Sequence, residues 1–535
     1  MYNRDRLVII LISIFLFRIP ISHIIGDNGC GYLSGPLEIF WCLMLIFGAG
    51  LTITLRGMMH DRVRREQYSN ASMVFSFAKR YTFISAFVLL ALCILLYNPV
   101  SSGLLMDKGC RIAFLFTGPA VFLALFINLN IGYLNGTDNM NYALIGEIIY
   151  AIAMGVCMII GSLVGVKIGG NISALLKNDE VTAMYGAVGA MAGICVGEFV
   201  TLIALLAMTL FFQRSFRHMM RSETGRRSEH MGDISGRFLF GVFTDGLQEL
   251  LLHLPVFVSI LLFRRINLSV EGADPAVIGA SIGAFYSKFI VIVGIFSILG
   301  TIPVQSVLKG IAAAVNDSDT QLAADRITKL LARVAYYAIP ATVFITVLAP
   351  VIMPTLFTGR ITTATSLLGI GASVIFVYAM NYCFISVLIK LGYNREMLVV
   401  NAVSLVIGIV ISVILAPKFD NGFTGILIGM LICYLLCSIV CVIILLRNFR
   451  LRFRLVQYYV IPIVIAGILG ILIKLLSNVL YGVAGGVLTL IICVIPAWLI
   501  YNIACMVLRV VSAQAIKKKF MGPVLVRIGQ SIGIY

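Results

Sequence analysis

Charge is scarce in this 535-residue chain: Asp, Glu, Lys and Arg together make up 12% of it, about half the usual share of a globular domain. Tryptophan occurs twice and histidine five times. There is no CxxC pair and no Cys/His spacing suited to a metal, and no P-loop or catalytic-triad pattern, so nothing points to an enzyme. Ten-residue segments of alternating hydrophobicity are also missing, which excludes a membrane β-barrel. What fills the chain instead is apolar: 60% of residues are hydrophobic and the mean hydropathy is +1.04. Apolar runs long enough to cross a bilayer recur from end to end, the pattern of an all-α polytopic membrane protein.

The formal charge of +17 does not argue for nucleic acid, because the basic residues crowd into alternate short loops. Fourteen spans are expected, centred on 7–25, 37–57, 81–104, 110–133, 142–166, 183–212, 236–263, 277–305, 329–357, 362–389, 396–416, 422–446, 457–477 and 482–509. The loops on one side hold Arg56, Arg62, Arg64, Arg65, Lys79 and Arg80, then Arg214, Arg217, Arg221, Arg226, Arg227 and Arg237. Arg447, Arg450, Arg452, Arg454 and Lys517, Lys518 and Lys519 follow on the same side. Positive charge is retained in the cytoplasm, so both termini are expected there. The start, MYNRDRLVIILISIFLF, resembles a signal peptide, but no small-residue cleavage site follows and it reads as an uncleaved first span. The twelve cysteines lie mostly within apolar runs and read as small buried hydrophobes. Cys30 and Cys110 fall in expected outer loops, which leaves a disulfide between them open.

One stretch organises the rest. Phe238–Arg265, FLFGVFTDGLQELLLHLPVFVSILLFRR, is long enough to span yet carries Asp245, Glu249 and His253 at i, i+4 and i+8. That spacing stacks them on one helical face, and a charge at the bilayer centre costs at least about 2.5–3.5 kcal/mol. The face is therefore expected to line a hydrated cavity or to find partners, with a bend at Pro255. The segment 213–235 is the longest polar one and reads as a basic linker after six spans. It could bind anionic lipid. Residues 1–212 then form a first lobe, 236–446 a second, and 447–535 two extra spans with a basic tail. GPAVFLALFINLNIGYLNG (118–136) and GASVIFVYAMNYCFISVLIKLG (371–392) each open on Gly and place Asn128 or Asn381 ten residues later. Six spans separate the copies, as in a parallel repeat.

Three stretches carry a resemblance: RIPISHIIGDNGCGYL (18–33), IPVQSVLKG with the run 319–357, and VLIKLGYNREMLVVNAVSLVIGIVISVILAPKFDNGFTGILIGMLICY (387–434). They resemble the multidrug/oligosaccharidyl-lipid/polysaccharide exporter superfamily, and within it the stage V sporulation protein B and polysaccharide flippase branch, related to lipid II flippases. The resemblance implies two six-helix lobes around a central cavity, two further C-terminal helices, and alternating-access transport of a polyprenyl-diphosphate-linked saccharide. Two positions depart from the pattern: His23 stands where a second basic residue is frequent, and Thr52 where a proline is common.

Such a substrate has an anionic head. Arg18 and Lys288 are the two basic residues placed well inside spans and are expected to receive the pyrophosphate, Arg18 as a planar fork and Lys288 as a point charge. Alternatively, Arg18 is neutralised by Asp245 or Glu249. His23 binds an anion only when protonated. Asn128 and Asn381 are candidates for sugar hydroxyls, although hydrogen bonds between helices are the commoner use. The resemblance implies ion coupling through an acid in the seventh span and polar groups in the eleventh, here Asp245, Glu249, Asn401 and Ser404, with sodium or a proton as coupling ion. His253 reads as a satisfied bundle histidine, Glu38 as a solvated acid near an interface, and Glu147 and Glu198 as deeper acids. No cofactor is expected. The partners would be the lipid-linked saccharide, membrane lipids and cell-envelope synthesis enzymes. The alternatives are a cation-coupled multidrug exporter and a non-transporting scaffold for cell-wall enzymes.

Overall fold

The computed structural model describes residues 15–223, 229–419, 422–451 and 454–511. The start of the first expected span, Arg226 and Arg227 of the linker, Arg452, and the lysines 517–519 lie outside them. In chain order the α-helices of ten residues or more are α1 (Arg18–Leu43), α2 (Gly50–Val63), α3 (Tyr68–Leu95), α4 (Thr117–Gly136), α5 (Met140–Leu176), α6 (Glu180–Arg221), α7 (Met231–Leu268), α8 (Pro275–Ala284) and α9 (Ile290–Asn316). They continue with α10 (Thr320–Leu356), α11 (Ile361–Gly371), α12 (Ser373–Lys390), α13 (Asn394–Leu415), α14 (Phe423–Asn448) and α15 (Ile461–Val507). Single π-helical turns join α1 to α2, α8 to α9, and the segment before α15 to α15. Among the described residues there is no strand, and twelve continuous helical stretches are long and apolar enough to cross a membrane. The protein is an all-α multi-pass membrane protein.

Two of the twelve stretches are broken in a way hydropathy does not register. Gly26 (φ 66°) interrupts α1 and Gly485 (φ 75°) interrupts α15, each in the left-handed region that glycine alone enters freely. These glycines fall near the expected boundaries between spans 1 and 2 and between spans 13 and 14. The expected loop over residues 26–36 is instead helix apart from Gly26. Cys30 therefore lies inside α1, buried, and Cys110 is buried just ahead of the fourth span. None of the twelve cysteines is in a disulfide. Burial also pushes the Cys110 thiol well above its ordinary range. The linker is largely helix in its described part, since α6 runs on to Arg221 and α7 begins at Met231.

Local sequence sets the helix ends. Asp274 caps α8 by accepting from Ala276 N at 2.9 Å, with Pro275 at the first helical position, where its missing N–H costs nothing. Asp319 caps α10 through Leu322 N at 2.8 Å. Between helices in lipid the apolar effect is weak, so association rests on close packing and hydrogen bonds. The glycine-rich run 186–197 supplies the first of these. Gly189 of α6 and Gly161 of α5 meet backbone to backbone, so that a Cβ on either would overlap the other's carbonyl.

By internal contacts the chain divides into two compact units. The larger contains α1 to α8 with α13. Its core joins Leu51 and Leu55 of α2, Phe75 of α3, Tyr133 of α4, and Phe238 and Val242 of α7. The smaller contains α9 to α12, most of α14, and α15. Within it α10 packs on α9, α12 and α15, and the buried Tyr336 hydroxyl donates to Asn502 while Tyr501 donates to the Tyr336 carbonyl at 3.1 Å.

Candidate functional site

Helix α7 crosses the larger unit carrying Asp245, Glu249 and His253, and passes through Pro255 without leaving helical geometry. It is pressed against the α1–α2 stretch at a glycine crossing. A Cβ at Gly246 would lie 2.9 Å from Ile46 Cα and closer still to its carbonyl oxygen, and one at Gly50 would lie 2.9 Å from Gly246 N. This approach brings the polar groups of the two stretches together. Thr54 donates its hydroxyl to Asp245 Oδ2 at 3.1 Å. Two turns along α7, His253 Nε2 lies 2.7 Å from Glu38 Oε2. The three groups of the α7 face are thus not one hydrated row: each end of the row is bonded to the opposing helix.

Glu38 corrects an expectation. It is not solvated at an interface but 1% exposed, whereas the His253 side chain is 31% exposed. Arg18 is also buried, with its guanidinium carbon 4.5 Å above the ring of Tyr286 and 5.3 Å from that of Phe15. It lies within electrostatic reach of Glu38. The Tyr286 hydroxyl comes close to the same carboxyl without reaching full hydrogen-bond geometry. Arg18, Glu38, His253 and Tyr286 therefore form one buried polar cluster, and the counter-charge nearest Arg18 is Glu38 rather than Asp245 or Glu249. The cavities beside Arg18 measure about 10 Å³ each, room for a single water at most. In this conformation Arg18 is occluded, and a phosphate does not fit.

The other expected residues fall as follows. His23 is exposed, five residues and about 140° around the helix from Arg18. Asn128 spends its amide on structure: Oδ1 accepts from Thr52 at 2.9 Å and Nδ2 donates to Ala124 O at 2.8 Å. Asn401 and Ser404 are buried on α13, which packs against α7. The two helices run parallel. Arg395 stacks 5.5 Å over Phe240 at one end, and Phe423, just beyond α13, stacks on Phe263 at the other. Counting inward from Arg395 puts Asn401 and Ser404 at the depth of Gly246 and Glu249. Lys288 and Asn381 belong to the smaller unit. Lys288 is fully buried in the π-helical turn Phe285–Phe289, and Asn381 Oδ1 accepts from Ser438 at 3.3 Å. Glu198 is fully buried and accepts from Tyr150 at 3.3 Å.

Ion pairs close both ends of α7. Before its start, Glu229 receives both Nε and Nη2 of Arg62, at 2.9 and 2.6 Å, and Nη2 of Arg237 at 3.1 Å. The Arg62 fork holds the Glu229 carboxyl below the usual carboxylate range. Near the far end Arg264 pairs with Asp107 at 2.7 Å and donates to Leu105 O at 3.0 Å. Sequence reading missed all of these partners, because each joins residues more than 150 positions apart, Arg237 excepted.

No protein-family model and no curated protein sequence matches the chain. Its fold, in contrast, is similar to that of several solved transporters. The lipid II flippase MurJ, in an inward closed conformation, superposes with a TM-score of 0.62 at 12% identity, over 94% of this chain and 98% of that one. A multidrug resistance MATE family transporter of the MOP superfamily, inward facing, gives 0.59 at 15%, over 81% and 93%. A MOP superfamily transporter from Pyrococcus furiosus, described by a reversed polarity of its binding pocket, gives 0.52 at 15%, over 83% and 95%. The 6% of this chain left out of the MurJ superposition is about 32 residues. That is fewer than the 52 of the C-terminal stretch Val456–Val507, so the shared fold reaches into that stretch.

Proposed function

We propose that the chain is a flippase that moves a polyprenyl-diphosphate-linked saccharide across the cytoplasmic membrane by alternating access, with both termini in the cytoplasm. The observation that carries this reading is Arg18, an arginine buried in α1 in a fold similar to a lipid II flippase over nearly the whole chain. A buried guanidinium is costly unless it serves a charged partner, and a pyrophosphate offers its planar fork two acceptors. The occluded cluster around Arg18 suits one intermediate of the cycle, and substrate binding requires α1 and α7 to part. Lys288 and Asn381 keep, each within the smaller unit, the roles of phosphate and sugar contact. His23 and Asn128 are the weakest members of the set, the first for its exposure and the second for its spent amide.

Asp245 and Glu249 on one helix and Asn401 and Ser404 on the helix packed against it overlap in depth within about one turn, a suitable oxygen-rich setting for a coupling ion, sodium or a proton. Residues 1–212 and 236–446 act as the two lobes, with 213–235 as their cytoplasmic linker and 447–535 as the added pair of spans and tail. A second reading, cation-coupled multidrug export, draws on the likeness to MATE transporters and on Glu38, which sets a negative charge beside Arg18. Proteoliposomes separate the two. The flippase reading expects translocation of a fluorescent polyprenyl-diphosphate sugar and none of ethidium or a similar organic cation. Ethidium transport without lipid translocation would replace it with the second reading.

A further inference from the structure

The cluster of Arg18, Glu38, His253 and Tyr286 has one carboxylate shared between two bases. We infer that Glu38 and His253 form a proton-binding site that controls whether the positive charge of Arg18 is available to an anionic ligand. This rests on the reading of Arg18 as the pyrophosphate contact. In the unprotonated state a neutral His253 donates Nε2–H to Glu38, and Glu38 balances Arg18, so the cluster is neutral overall. A proton from solvent then binds the Nδ1 of His253. Of the pair, the His253 side chain is the more open, 31% exposed, whereas Glu38, at 1%, is sealed. The imidazolium takes over the carboxylate, the cluster gains one positive charge, and Arg18 is left with charge to offer. Proton and anion then bind together. By linkage, binding of the anion also favours uptake of the proton.

The groups around His253 bear on the sign. From the α1–α2 stretch Glu38 meets it directly, and Cys42, Arg18 and Tyr286 stand around Glu38. Asp245 and Glu249 share its helix, where in their ionised forms they favour the imidazolium, and the positive charge of Arg18 opposes it. Arg264, further along α7, is committed to Asp107. On the other packed helices Arg395 stacks on Phe240 and Tyr81 on Phe238, both nearer the opposite end of α7.

Two substitutions at this pair should move binding in opposite directions, which a merely structural pair would not do. Farnesyl diphosphate serves as the probe, with affinity measured on purified protein from pH 5 to 8. The probe's own titration is common to all proteins and cancels in ratios to wild type. Glu38→Gln frees Arg18 at every pH, so it binds about tenfold more tightly than wild type at pH 8 and converges with it at pH 5. His253→Gln keeps a donor to Glu38 but takes no proton, so it matches wild type at pH 8 and binds about tenfold more weakly at pH 5. Weakening of both variants at all pH values would overturn the inference. The proton site is also read without ligand, from the imidazole NMR signals of a protein with five histidines, assigned by replacing the other four singly. A single step for His253 between pH 5 and 8 that shifts in Glu38→Gln supports the site; no step in that range overturns it. If the step is present but the probe binds to no protein, the pyrophosphate reading falls and the proton site stands.

Discussion

The crossing of α7 with the α1–α2 stretch holds Asp245 and His253 against their partners, and it can be opened by one methyl group. Gly246→Ala places a Cβ 2.9 Å from Ile46 Cα and nearer its carbonyl oxygen, where ordinary contact begins at 3.4 Å. The obstacle is backbone, so no side chain can swing away and the helices must separate by at least about 0.5 Å. Overpacking of this kind typically costs about 1–3 kcal/mol. The Thr54–Asp245 hydrogen bond, at 3.1 Å, lies one residue from the crossing and adds about 1 kcal/mol if it breaks. Gly236→Ala on the same helix is the matched control. A Cβ there meets nothing within 4 Å, and replacing a helical glycine by alanine should stabilise by about 0.5–1 kcal/mol. Thermal unfolding in detergent should therefore rank Gly236→Ala at or above wild type and Gly246→Ala clearly below it. Equal effects at the two glycines would refute the close crossing.

The bond from Thr54 to Asp245 predicts that Thr54→Val and Asp245→Asn are non-additive, with a coupling of about 1 kcal/mol in a double-mutant cycle on unfolding. The fork of Arg62 on Glu229 has a pH signature. Because the folded Glu229 pKa is depressed, its stabilisation is full above the ordinary glutamate value, about 4.3, and is lost as the pH falls through the lower folded value. The difference in melting temperature between wild type and Glu229→Gln should thus be largest at neutral pH and shrink on acidification below that range. With no disulfide between Cys30 and Cys110, reductant should leave the melting temperature unchanged, whereas loss of a real disulfide would remove about 2–5 kcal/mol.

Hydropathy alone located the membrane stretches because lipid demands about twenty apolar residues of each. The i, i+4, i+8 spacing likewise marked the polar face of α7 before any coordinates. What it could not mark were the turns inside continuous helix. Gly26 reverses α1 in a single residue, where an eleven-residue loop was expected, and that difference moves Glu38 from an interface into the bundle. Its partner His253 is 215 positions away, beyond the reach of any periodicity. Asn128 reads from the sequence as a candidate for sugar hydroxyls. Its amide is instead engaged by Thr52, the residue standing where the resemblance leads one to expect proline, so the departure from the pattern and the hydrogen bond are one feature. Arg18 was legible as a buried cation, but its setting under Tyr286 and beside Glu38 required the fold.

The claim on which the functional account turns is that Arg18 meets the pyrophosphate of a lipid-linked sugar. Its most direct test is the initial rate at which a fluorescent polyprenyl-diphosphate sugar crosses proteoliposomes containing wild type, Arg18→Lys or Arg18→Ala, at matched protein incorporation. The account predicts robust transport by wild type, partial transport by Arg18→Lys, which keeps the charge but loses the fork, and a loss of at least about tenfold in Arg18→Ala. Transport by Arg18→Ala at the wild-type rate would contradict it.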